Sequence, residues 1–250
     1  MVFWPVGVAW YTFFMIEIIP AIMPDSYEDL LSKAFRVRSL VPLAQIDIMD
    51  GAFVKSKSWP YSEGGTRKEP HFVALMAQDE GMPYWEELDY EIDLMIGEPE
   101  KHIDEWLPLG ASRLIFHIES IKNLELFFAH DMWVPGAREI GSEKVVQLGL
   151  AINPSTPLDA ILPHIEKIDF VQCMGIAKIG YQGQEFDERV LEHINTLRIK
   201  YPNMPISVDG GVNQETAGLL KQAGATRLVA GSAIFGAPDA EEAIAQLARA

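Results

Sequence analysis

The chain has 250 residues, 48% of them hydrophobic and 22% charged, which is the composition of an ordinary soluble globular protein. Its formal net charge of −16 argues against nucleic acid or an anionic membrane as a partner, since both prefer a basic surface. The single cysteine, Cys173, excludes an internal disulfide, so we expect a cytoplasmic protein with one large core.

The first 15 residues stand apart from the rest. No charged residue occurs before Glu17, and Pro5 and Gly7 interrupt any helix. The apolar stretch is also shorter than the roughly 20 residues that a membrane-spanning helix needs. We expect residues 1–15 to be an extension ahead of the folded domain, or a segment that packs across one end of it, and not a membrane anchor.

Short apolar runs alternate with helical patterns along the remaining chain. The runs predict strands at residues 17–23, 43–49, 90–96, 113–118, 146–152 and 168–174, and two more within 207–212 and 229–235. The patterns between them predict helices at residues 27–38, 70–78, 98–110, 121–129, 187–201 and 241–249. Without a linker to divide the chain, this alternation predicts an α/β fold with one (β/α)8 TIM barrel over residues 16–250.

The last two predicted strands each end in glycine, at Gly210-Gly211 and at Gly231-Ser232. Glycine lets backbone N–H groups approach an anion closely, and the helix that follows adds its N-terminal amides. A (β/α)8 barrel uses such turns after its seventh and eighth strands to bind phosphate. The alternative is two ordinary turns in which glycine serves packing alone.

Polar residues lie where the predicted strands end: Gln45, Asp47, Asp93, His117 and Asp209. In a barrel these ends meet at one mouth. Three carboxylates facing one cavity repel each other, so either a cation lies between them or one carries a proton. Both arrangements suit proton abstraction next to a carbonyl. The alternatives are purely structural aspartates and a hydrogen-bonded core histidine.

Three methionines, Met49, Met95 and Met174, also fall at strand ends. Their polarizable side chains suit an apolar lid over a reactive intermediate. On composition alone, filling of the core explains all three better.

Several of these segments together resemble the ribulose-phosphate 3-epimerase family. The resemblance covers about residues 16–246 in the family's order, with matching motifs at residues 19–23, 45–54, 93–96, 117–119, 149–157, 180–186, 209–212 and 231–235. It implies a (β/α)8 isomerase of the pentose phosphate pathway that interconverts D-ribulose 5-phosphate and D-xylulose 5-phosphate. The partner would be a small phosphorylated sugar, and since family members often form dimers or hexamers, a homo-oligomer is compatible with it.

The resemblance also implies roles for individual residues. Asp47 and Asp209 correspond to the two acid/base residues on opposite faces of the C3 carbon. The methionines correspond to the cap over the enediolate, and His117 to a residue at the substrate. The phosphate would be bound by the glycine-rich loop and the two turns, at Gly180, Gly183, Gln184, Gly210, Gly211, Gly231 and Ser232.

The chain departs from the family at the metal ligands. The family usually binds a divalent metal through two His and two Asp, and here Gln45 and Asp93 replace the two histidines. The all-oxygen set Gln45, Asp47, Asp93 and Asp209 suits Mg2+ or Mn2+ better than Zn2+, which prefers nitrogen and sulfur. Without a metal, a protonated Asp93 could donate a hydrogen bond to the enediolate.

Other departures leave two alternative functions open. Ala21 replaces the family's serine, and the loop at residues 174–184 is one residue longer and lacks the family's proline. The first alternative is a related phosphate-binding decarboxylase or aldolase that uses the lysine-bearing loop after the second strand. The second is a non-catalytic paralogue that binds a phosphorylated metabolite.

Overall fold

The computed structural model describes residues 16–62, 69–131, 139–140 and 144–250. The predicted N-terminal extension, residues 1–15, lies outside the described residues. Within the described ranges, no helix combines the length and the apolar character that crossing a membrane requires.

Eight parallel strands close into a barrel, which confirms the predicted fold. The strands are β1 Glu17–Ile22, β2 Leu43–Met49, β3 Asp89–Met95, β4 Arg113–His117, β5 Gln147–Ile152, β6 Phe170–Met174, β7 Ile206–Asp209 and β8 Arg227–Ala230. Each pairs with its neighbours in chain order, and β8 closes the barrel against β1 with Ile19 opposite Val229. A separate antiparallel ribbon, Glu139–Ile140 with Lys144–Val145, lies between β4 and β5 in sequence.

Helices follow most of the strands. They are α1 Tyr27–Val37, α2 Pro70–Met76, α3 Leu124–Ala129, α4 Arg189–Lys200, α5 Gln214–Ala223, α6 Ser232–Phe235 and α7 Ala240–Arg249. Short polar side chains fix several starts: Ser26 accepts from the Asp29 amide, and Asn213 accepts from the Glu215 and Thr216 amides. These caps satisfy backbone N–H groups that have no partner within the helix.

The helix predicted at residues 98–110 is wrong. The segment instead forms three short 3-10 helices, Pro99–Lys101, Ile103–Glu105 and Leu107–Leu109. Glu98 has a left-handed backbone, with φ of 50°. Pro108 has no N–H and its ring would clash with the preceding turn of an α-helix, so a continuous helix is disfavoured. Buried Ile103 and Trp106 still attach the segment to the core.

The two faces of each barrel strand have different environments. Residues two apart share a face, so on β2 the inner face carries Gln45, Asp47 and Met49. Ile46 and Ile48 point outward into the main apolar core between the barrel and the helices. All five side chains are buried, and the inner polar groups therefore need partners inside the barrel.

The end of the barrel where the strands begin is filled by an ion-pair network. Arg113 Nη1 donates to Glu91 Oε2 over 3.0 Å, and its Nη2 donates to Glu17 over 3.3 Å. Arg227 Nε lies 3.1 Å from Glu17 Oε2. Burial raises the pKa of Glu91 to about 7, although the Arg113 guanidinium lowers it. This network occupies the end opposite the predicted catalytic residues.

Candidate active site

A cavity opens where the strands end, and both predicted acid/base residues line it. Asp47 comes from the end of β2 and Asp209 from the end of β7, and both side chains are nearly buried. The other lining residues come mainly from the loop after β6 and the turns after β7 and β8: Ala21, Met23, Met95, Met174, Ile176, Gly180, Tyr181, Gln182, Gly183, Gln184, Gly210, Gly211, Val212, Val229, Ala230, Gly231 and Ser232. The structure therefore places the two acids beside the predicted phosphate cradle.

Gln45 connects the two carboxylates. Its Nε2 donates to Asp47 Oδ1 and to Asp209 Oδ2, both over 2.8 Å. One amide NH2 group has two hydrogens, so it can serve both bonds at once. Gln45 is fully buried, and its position two residues before Asp47 places it on the same inner face. The amide thus holds the two acids in a fixed relation.

Both carboxyl groups have pKa values above the ordinary range. Burial raises the pKa of Asp47 well above its usual value, and the charges of Asp209 and Asp93 raise it further. Burial and the Asp93 charge raise the pKa of Asp209 to about 7, while the Gln45 hydrogen bond lowers it. Near neutral pH the pair is therefore poised to share a proton, which one acid and one base require.

The raised pKa of Asp209 predicts a pH-dependent stability. The protonated Asp209 side chain contributes fully to stability below its pKa in the unfolded chain, about 4. This contribution is lost as the pH rises through its pKa in the folded protein, about 7. Between about pH 5 and pH 8, the free energy of unfolding of the wild type should fall by roughly 2–4 kcal/mol more than that of Asp209→Asn. Urea unfolding at both pH values measures this, and parallel curves would contradict it.

Asp93 lies behind the two acids and does not line the cavity. His117 Nε2 is 3.0 Å from Asp93 Oδ1, and Gln172 Nε2 donates to Asp93 Oδ2 over 3.2 Å. Burial lowers the pKa of His117, but the Asp93 carboxylate outweighs this effect and raises the pKa above its usual value. One Asp93 oxygen is thus paired with the buried His117 ring, and the other accepts from the Gln172 amide. His117 is a buried partner of Asp93, and it does not line the cavity.

The aspartates fit a divalent cation. One carboxylate oxygen from each of Asp47, Asp93 and Asp209 lies within 4.8 Å of the others, so the three could hold an ion together. Gln45 presents its Nε2 to Asp47 and Asp209, and its Oε1 is buried without a hydrogen-bond partner among the described residues, so the amide would have to turn over to add an oxygen to the set. Oxygen-only ligands are those that Mg2+ and Mn2+ prefer.

The backbone at Gly210 and Gly211 requires glycine. Their φ angles are 93° and 68°, in the left-handed region. A Cβ at Gly210 would lie 2.7 Å from the Ile176 side chain, and one at Gly211 would lie 3.0 Å from the Phe186 backbone. The turn thus combines an unusual conformation with close packing against the loop after β6, and its bare backbone faces the cavity.

Gly175 links this loop to the same turn. Its amide donates to the Asp209 carbonyl over 2.7 Å, and a Cβ there would lie only 2.2 Å from the Gly210 carbonyl oxygen. We expect Gly175→Ala to push the turn away, destabilise the fold by about 1–3 kcal/mol and weaken binding of inorganic phosphate. Calorimetry measures both effects. Gly218→Ala in α5, where the added Cβ meets only ordinary contacts, is the control, and equal behaviour of the two variants would contradict the expectation.

The three predicted methionines occupy two environments. Met95 and Met174 line the cavity, whereas Met49 does not and instead packs with Met95 and Val54. Tyr181 and Gln182 line the cavity within the stretch Gly180 to Gln184 that resembles the family's phosphate-binding loop. Ala21, Met23 and Ile176 also line it, although the sequence predicted no site role for them. Proximity to the motifs could have indicated these three, since they lie within or beside segments that resemble the family.

Comparisons with known proteins identify the family of this chain. The family model "Ribulose-phosphate 3 epimerase family" matches residues 17–235. The chain is 37% identical to the ribulose-phosphate 3-epimerase of Schizosaccharomyces pombe over 162 residues, which are 65% of this chain and 66% of that protein. It is 29% identical to the ribulose-phosphate 3-epimerase, cytoplasmic isoform, of Oryza sativa subsp. japonica over 234 residues, which are 92% of each chain.

The fold agrees with solved structures as well. The 3-hexulose-6-phosphate synthase of Salmonella typhimurium superposes with a TM-score of 0.61 at 14% identity, covering 94% of this chain and 97% of the other. At that identity the similarity concerns the barrel alone. With the family model matched over most of the chain, the protein belongs to the ribulose-phosphate 3-epimerase family.

Proposed function

We propose that this protein is a sugar-phosphate epimerase that interconverts ribulose 5-phosphate and xylulose 5-phosphate or a close analogue. The observation that carries the proposal is the Gln45 amide joining Asp47 and Asp209 over 2.8 Å each, next to a glycine-lined cavity. Family membership supports the same reaction class.

The chemistry follows from the shared proton. The ionised aspartate removes the C3 proton, which is acidified by the neighbouring C2 carbonyl, and an enediolate forms. The protonated aspartate then returns a proton to the opposite face of C3, so the configuration is inverted while atoms and charge balance. After turnover the two carboxyl groups have exchanged protonation states, and the reverse reaction uses them in the opposite roles.

Gln45 has a positioning role in this scheme. Its two hydrogen bonds keep the carboxylates from turning away from each other, which their mutual repulsion favours. His117 lowers the pKa of Asp209 and so offsets part of the larger effect of the Asp93 charge, which raises it. Met95 and Met174 give the cavity apolar walls, which reduce the water around the two carboxyl groups during the proton transfer.

A divalent ion is compatible with the same residues. Asp47, Asp93 and Asp209 would hold it, joined by the Gln45 oxygen if that amide turned over, and the oxygen-only set favours Mg2+ or Mn2+ over Zn2+. When bound, the ion supplies positive charge beside the oxygens of the enediolate.

The substrate class follows from the glycine turns. The backbone of Gly210-Gly211 and of Gly231-Ser232 lines the cavity, and α6 begins at Ser232. A phosphate there would receive backbone N–H donors, leaving the sugar carbons towards the aspartates. Lys55 and Lys57 are exposed and do not line the cavity, so the described part of this loop supplies no lysine for decarboxylase or aldolase chemistry.

Incubation of the purified protein with ribulose 5-phosphate tests the proposal. Carbon-13 NMR should show conversion to xylulose 5-phosphate, and the same equilibrium mixture should form from either sugar. A parallel assay with other pentulose and hexulose phosphates identifies a close analogue. If none of these sugars changes configuration while inorganic phosphate still binds, the non-catalytic alternative replaces the epimerase.

A further inference from the structure

The anion end of the cavity, formed by the Gly210-Gly211 and Gly231-Ser232 turns and the loop after β6, has no basic side chain among its described residues. Among the described lining residues there is no lysine, arginine or histidine. Asp47 and Asp209 line the same cavity, and the whole chain carries a net charge of −16. A phosphate dianion placed here must therefore be bound by neutral donors, which makes each polar side chain at this end important.

Gln182 places a side-chain amide at this end. It lies in the loop after β6, and its Nε2 is 2.7 Å from the position that a Cβ on Gly231 would occupy, with its Cδ at 3.3 Å. The amide therefore rests against the bare backbone of the turn after β8. Among the described contacts, the backbone carbonyl of Gln182 accepts a weak hydrogen bond from the Gln184 side chain, but the Gln182 side-chain NH2 has no acceptor.

Two glycines hold this part of the loop. Gly180 and Gly183 have φ angles of 84° and 69°, so the backbone reverses on both sides of Gln182. A Cβ at Gly180 would lie 3.0 Å from Val54, which packs that residue against the barrel. The base of the loop is closed by a backbone bridge between Ile176 and Phe186. The exposed Gln182 side chain is thus carried by an anchored loop.

We propose that the Gln182 side-chain amide donates a hydrogen bond to the phosphate of the substrate and is a substrate-binding residue of this chain. The inference rests on the proposed function, because it assumes that the phosphate lies between the Gly210-Gly211 and Gly231-Ser232 turns. The free NH2 supplies a neutral donor at a place where the backbone of Gly231 leaves room for it.

The test compares Gln182→Leu, Gln182→Glu and the wild type. Binding of inorganic phosphate is measured by isothermal titration calorimetry, and KM and kcat are measured with ribulose 5-phosphate. Gln182→Leu should weaken phosphate binding and raise KM about tenfold with little change in kcat, since a hydrogen bond to a charged group is lost. Gln182→Glu should weaken phosphate binding and raise KM further, because it places a like charge beside the dianion. Gln222→Leu, an exposed glutamine of α5 away from the cavity, is the control.

The outcomes separate this inference from the proposed function. Phosphate binding by Gln182→Leu equal to that of the wild type would overturn the inference and leave the epimerase intact. Failure of the wild type to bind inorganic phosphate would also overturn it. Weakened binding in the variant, together with a wild type that changes no sugar, would support the phosphate contact while the epimerase proposal fails.

Discussion

Asp209→Asn should lose epimerisation by at least about 10³-fold while it keeps its fold and its phosphate binding. The asparagine side chain introduced by this substitution could still accept the hydrogen bond that Gln45 donates to Asp209 over 2.8 Å, so the geometry is retained. The amide cannot exchange a proton with C3, however, and one face of the carbon loses its acid/base group. Asp47→Asn should show the same loss for the opposite face.

The measurement is kcat for ribulose 5-phosphate, with circular dichroism and phosphate titration on the same samples. Asp239→Asn is a matched control because Asn also caps helices well, and it should behave as the wild type. Retention of a tenth or more of the wild-type activity in Asp209→Asn would show that another group transfers the proton.

Gln45→Leu should have the second largest effect. The substitution removes the donor that serves Asp47 and Asp209 and leaves two buried carboxyl groups to repel each other. Because the Gln45 hydrogen bonds lower the pKa of both acids, their loss should raise both pKa values. At pH 7 the pair would then carry an extra proton and lack its base, so we expect activity to fall by about 100-fold.

The pH dependence distinguishes this explanation from damage to the fold. For Gln45→Leu the acidic limb of the kcat profile should move to higher pH by about one unit or more, and activity should recover partly in alkaline buffer. Gln147→Leu makes the same change in another barrel glutamine, whose Oε1 accepts from Arg113 at the opposite end. Its profile should stay at the wild-type position, and an unshifted profile for Gln45→Leu would refute the positioning role.

The sequence predicted the barrel well because its signals are local. Each strand is a short apolar run bounded by turn residues, and β2 has the predicted bounds, Leu43–Met49. At the start of α1, Ser26 Oγ accepts from the Asp29 amide, and Asp29 Oδ2 accepts from the Asp25 amide. The segment at residues 98–110 failed because apolar spacing suggested a helix while Pro108 and the left-handed Glu98 prevent a continuous one.

The site was predicted in part. The strand ends brought Asp47 and Asp209 to one cavity, as their positions indicated. The connection between them could not be read from the sequence, because it depends on the direction of a side-chain amide across the barrel from β2 to β7. The pairing of His117 with Asp93 depends in the same way on how β3 and β4 are placed side by side.

Deuterium exchange at C3 by the two single variants tests the central claim most directly. In deuterated water, the wild type should incorporate deuterium at C3 of both sugars. Asp209→Asn and Asp47→Asn should each exchange the C3 hydrogen of only one epimer, and of opposite ones, because each retains the acid on a different face. Exchange of the same epimer by both variants, or none by the wild type, would contradict a proton relay between these two aspartates.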